Sequence, residues 1–163
     1  MLGTLAVADQ IDIPNPIAAS TYTIDIADAG TGLAILVRGP AFSLMYDGGS
    51  NDDYRTGDNN RLSNFLLRYQ PNLSVIDHLI LSHPHRDHNH LLPDLLDDYA
   101  VKHAYGSGRV YDSCSQRYYI AAIGNEPRLQ YHTALQDAGP GDIDYVTDKT
   151  CNRKHYPAKT PVI

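Results

Sequence analysis

Val75–Leu81 (VIDHLIL) is an almost unbroken apolar run, and immediately after it His83-Pro84-His85-Arg86-Asp87-His88 sets four metal-ligand side chains within six residues. Leu92, Leu95, Leu96 and Tyr99 then recur at helical spacing over Leu91–Tyr99. Pro93 suits this helix because it falls in the first turn. A strand, a ligand-bearing turn and a helix in direct succession restrict the chain more than any other feature. The apolar run reads as a strand covered on both faces. Its end is rigid, and the turn beyond it is free to fold around a ligand.

In an extended segment, residues two apart share a face, so His83 and His85 can converge on one ion. Once the chain turns, Asp87 and His88 can point to a second. Imidazole and carboxylate donors suit zinc, and also iron or manganese. One or two such ions would activate a water molecule for hydrolysis. A helix-capping or solvated role accounts for one isolated histidine, but not for four ligand-type residues at this spacing.

The rest of the chain alternates strands and helices. Thr21–Ala27 places Tyr22, Ile24 and Ile26 on one face, the period of a half-buried strand. Leu33–Arg38 and Ala41–Tyr46 follow as two more strands, separated by the breaker Gly39-Pro40, to give an antiparallel meander. Arg61–Tyr69 reads as a helix through Leu62, Phe65, Leu66 and Tyr69, and Pro71 ends it. A strand near Val101–Tyr105 and a helix over Ser115–Ile123 continue the pattern. Weaker strands are expected at Arg128–Ala134 and Ile143–Thr147. The fold class is α/β (α+β) with a mixed sheet, and 163 residues suit a single domain.

Charge and cysteine content narrow the partners. A formal charge of −6 argues against broad attraction to nucleic acid, although bound cations would reverse the field locally. No stretch reaches the roughly 18 apolar residues of a membrane span. The opening MLGTLAVADQ is too short and lacks the basic start of a signal peptide. Leu5-Ala6-Val7-Ala8 nevertheless suits the region of a cleavage site, which favours an extracytoplasmic location. Cys114 and Cys151 read equally as one disulfide or as two unrelated thiols.

Ser82-His83-Pro84-His85-Arg86-Asp87-His88 resembles the HxHxDH signature of the metallo-β-lactamase superfamily. Asp28–Leu36, with its Gly30-Thr31-Gly32 turn, and Tyr46-Asp47-Gly48-Gly49 resemble the metallohydrolase branch found in bacterial competence (DNA-uptake channel) proteins. The likeness spans roughly residues 21–105. It implies an αββα sandwich, or its N-terminal half, with metals at one edge between two sheets. It also implies His83 and His85 on a first zinc-type ion, Asp87 and His88 on a second, and Asp47 beneath them, holding a ligand by a hydrogen bond. Asp87 would be both ligand and proton acceptor for the attacking water. On the residues alone, Asp47-Gly48-Gly49 is equally ordinary turn chemistry.

Two departures stand out. Asn89-His90 replaces the Gly-Gly pair that commonly continues the motif, and Leu33 stands where the branch often has an acidic residue. The superfamily takes further ligands from the second half of its fold. His132 is the leading candidate here, followed by His155, whereas Asp142 reads as a turn residue. The simplest account is a domain lacking the C-terminal part of the full fold. His78 reads as a core or interface histidine, His103 as a surface one, and Arg86 either as an anion contact or as solvated.

The expected activity is metal-dependent hydrolysis of an ester, amide or phosphodiester in a small molecule or, with less support, in nucleic acid. The rival expectation is a metal-binding domain or fragment without turnover, with a structural or assembly role.

Overall fold

The computed structural model describes residues 21–51, 59–108 and 113–133. Six strands form one sheet in sequence order: β1 (Thr23–Ile26), β2 (Ile35–Gly39), β3 (Phe42–Tyr46), β4 (Val75–Ile80), β5 (Ala100–Gly106) and β6 (Gln130–Thr133). β1, β2 and β3 form the expected antiparallel meander, and from β3 onward each strand pairs parallel with the next. The helices are α1 (Arg61–Tyr69), α2 (Arg86–Asn89), α3 (Leu92–Asp98) and α4 (Cys114–Asn125). Ile143–Thr147, Asp142, Cys151 and His155 lie outside the described residues.

The strand order dictates where the core forms. Crossovers between parallel strands are right-handed, and this sheet never reverses direction, so the crossovers that carry α1, α3 and α4 fall on one side. The register aligns Leu36, Met45, Leu79 and Ala104 across β2 to β5, and all four are fully buried. They share one cluster with Leu62 and Leu66 of α1, Leu92, Leu95 and Leu96 of α3, and Tyr119, Ile120 and Ile123 of α4. Burying a Leu of this kind contributes about 1.5–3 kcal/mol.

The starts of α1 and α4 are fixed by side-chain caps. Asn60 Oδ1 accepts from the backbone N–H groups of Leu62 (2.8 Å) and Ser63 (3.1 Å), capping α1. Its Nδ2 donates to the Leu91 carbonyl (3.0 Å) and to Asp94 (2.9 Å), tying that cap to α3. Ser113 caps α4 by accepting from the Gln116 N–H at 3.2 Å. Cys114, the first residue of α4, is disulfide-bonded.

The opposite face differs from the sequence expectation. Tyr22, Ile24 and Ile26 do share a face, but it is the uncovered one: they are 65%, 69% and 70% exposed. The same register continues through Ile35 and Val37, Leu44 and Tyr46, His78 and Ile80, then His103 and Tyr105, all only partly buried. Among the described residues, β4 is therefore helix-covered through Leu79 and only partly buried through His78 and Ile80. No helix among the described residues is long and apolar enough to cross a membrane.

Candidate metal centre

The ligand motif begins just past the C-terminal end of β4, where Leu81 donates its N–H to the Tyr105 carbonyl (2.8 Å) and continues the parallel ladder. The chain then turns through α2, with the His88 and Asn89 N–H groups both bonded to the His85 carbonyl (3.0 and 3.2 Å). This turn swings Asp87 back toward the two preceding histidines. One ligand atom each from His83, His85 and Asp87 lies within 4.8 Å of the others, a group that can hold a metal ion. The His83 and His85 rings stand 4.6 Å apart, and His85 is exposed, so the group is open to solvent.

His88 is held beside this group. Its Nε2 lies 3.4 Å from Asp87 Oδ2, and its ring is 4.0 Å from that of His83. Asp47 is fully buried beneath and accepts three bonds of 2.7 Å, from the Ser82 N–H, the Ser82 hydroxyl and His88 Nδ1. A carboxylate only accepts, so His88 carries its proton on Nδ1. The Ser82 hydroxyl spends its hydrogen on Asp47, so its oxygen accepts from His83 Nδ1 at 3.0 Å. One buried carboxylate thus orients two imidazoles and leaves the Nε2 lone pair of each available, as outer partners of metal-binding histidines do. Burial lowers the pKa of His83, and the neighbouring His88 and His85 lower it further, against the opposing pull of Asp47 and Asp87. A neutral His83 is the form that ligates.

Two glycine turns hold the motif from outside. Gly32, with φ of 133°, lies so close to Asp87 that a Cβ there would fall on the Asp87 carbonyl oxygen. The next residue, Leu33, donates its N–H to that same oxygen at 3.3 Å. Gly48 donates to the His88 carbonyl at 2.7 Å, and a Cβ on it would strike Leu92. The Gly30-Thr31-Gly32 and Asp47-Gly48-Gly49 stretches therefore fix the backbone that carries the ligands.

Asn89, a departure from the resembled motif, is fully buried and donates to Gln116 Oε1 (2.9 Å) and the Pro84 carbonyl (3.3 Å), joining α2 to α4. Ser82, Asn89 and Gln116 support the site through contacts that their sequence positions do not announce. Ser82 was legible as part of the motif, but its bonds depend on Asp47, far away in sequence. His132 stands elsewhere, on β6 beside His103, and is not part of the His83, His85 and Asp87 group. His78 faces the Tyr105 hydroxyl at 3.3 Å, and Arg86 is half-buried in α2. In comparisons with known proteins, no family model matches the chain, and no curated protein matches its sequence.

Proposed function

We propose that the chain is a metal-dependent hydrolase of the metallo-β-lactamase type, acting on an ester, amide or phosphodiester bond. The observation that carries this reading is the convergence of His83, His85 and Asp87. The donor set fits a zinc-type ion: two imidazoles and a carboxylate, with His88 beside them on the carboxylate's other side. His83, His85 and Asp87 would hold one ion, and Asp87 with His88 a second. A divalent cation bound there supplies Lewis-acid chemistry, bringing the acidity of water toward neutral pH and offsetting anionic charge as it develops.

The chain's own residues do the rest. Asp47 and Ser82 fix the two imidazole tautomers, and Asp87 would take a proton from an attacking water. The exposed side of His85 leaves an approach for substrate. Support for an αββα arrangement comes from the sheet, which has helices on one face and, across β1 to β3, an apolar opposite face suited to a second sheet. The disulfide at Cys114 favours an oxidising, extracytoplasmic compartment.

Metal analysis of the purified chain, beside hydrolysis of bis(4-nitrophenyl) phosphate and a chromogenic β-lactam, tests the reading. Bound zinc with turnover that disappears in His85→Ala supports it. Zinc without turnover of any ester, amide or phosphodiester favours a metal-binding module instead, and failure to bind metal removes both.

A further inference from the structure

Three histidines from three consecutive strands lie on the open face of the sheet: His78 of β4, His103 of β5 and His132 of β6. The His78 and His103 rings stack at 5.5 Å, and Tyr105 stacks on His132 at 4.9 Å. His103 Nδ1 and His132 Nε2 are 3.3 Å apart at the solvent-facing end of this row. Neither residue belongs to the His83, His85 and Asp87 group.

We propose that His103 and His132 form a second, cross-strand chelate for a zinc-type divalent cation. Two nitrogens each about 2.0–2.1 Å from a tetrahedral ion stand about 3.3–3.4 Å from one another, which is the separation this pair already has. The parallel register of β5 and β6 sets that spacing, so little ordering remains to be done on binding. Without metal, the pair is joined by an N–H···N hydrogen bond. A shift of that proton to the other nitrogen of its own ring frees both lone pairs, and no net proton leaves. His78 is engaged with the Tyr105 hydroxyl and stays outside the chelate. Two protein ligands leave two positions for water, so this site binds more weakly than the motif does.

The test is a zinc titration of the whole metal-stripped chain, followed by isothermal calorimetry and by the imidazole signals in NMR spectra. The expected result is a weaker class of site whose filling shifts two imidazole rings. His132→Ala or His103→Gln should weaken that class by roughly a hundredfold, the lower end of what joining two contacts gains. His78→Ala should leave it in place, and His85→Ala should leave it while removing the tighter class. The weaker class therefore reads out even where the motif binds nothing. The proposal is overturned if His132→Ala keeps the weaker class, if His78→Ala loses it as fully, or if no further ring moves in the unmutated chain after the tighter class is filled.

Discussion

Two groups of histidines are built in different ways, one in the turn and short helix after β4 and one across β5 and β6. His83 and His88 are fastened from below by Asp47 and Ser82, and the backbone at Asp87 and His88 is pinned by Leu33 and Gly48. His103 and His132 are placed by strand register and ring stacking, on a face that no helix among the described residues covers. The contrast teaches that ligand type is cheap and orientation is not. His83 and His88 have their tautomers dictated before any ion arrives, while the sheet pair must rearrange a proton.

The largest effect should fall on the covered side of the sheet. Leu79→Ala opens a hole beneath β4 and should cost about 2–5 kcal/mol, measured by urea denaturation. On the open side, Ile24→Ala should change stability by no more than about 0.5 kcal/mol. A comparable loss at Ile24 would mean that something covers that face.

Asp47→Ala comes next. It strips both imidazoles of their anchor and should weaken zinc binding by the motif by about 10–100-fold, read by competition with a chelator. The His103 and His132 pair should be unaffected by the same substitution, which sharpens the distinction between the two groups.

A smaller effect concerns pH. The folded pKa of His83 lies below its ordinary 6.5, so the unfolded chain binds the proton more readily. Its contribution to stability is therefore complete above pH 6.5 and is lost as pH falls from there toward the lower folded value. Denaturation midpoints of the metal-free chain should decline over that window, and His83→Gln should flatten the decline. An equal slope in both chains would place its source elsewhere.

Much of this layout was legible in the residues. Leu62, Phe65, Leu66 and Tyr69 mark α1 to its observed bounds, and the apolar run to Leu81 ends where the ligands begin. Other features were not, for reasons of distance. A period of two reads the same whichever face is covered, so Tyr22, Ile24 and Ile26 could not announce that their side is open. Gly32 and Gly48 look like turn residues until Asp87, His88 and Leu92 are brought against them from tens of residues away. Asn89 and Gln116 meet only because α4 packs on α2. The short helix inside the motif was also hidden, since four residues carry too little periodicity to show it.

The convergence of His83, His85 and Asp87 is best examined by zinc-edge X-ray absorption on the His132→Ala chain, where the sheet pair no longer contributes. Imidazole nitrogens at about 2.0–2.1 Å, lost when His83 and His85 are both replaced by Ala, are the expected result. Zinc that fails to bind, or a spectrum that survives the double replacement, would contradict it.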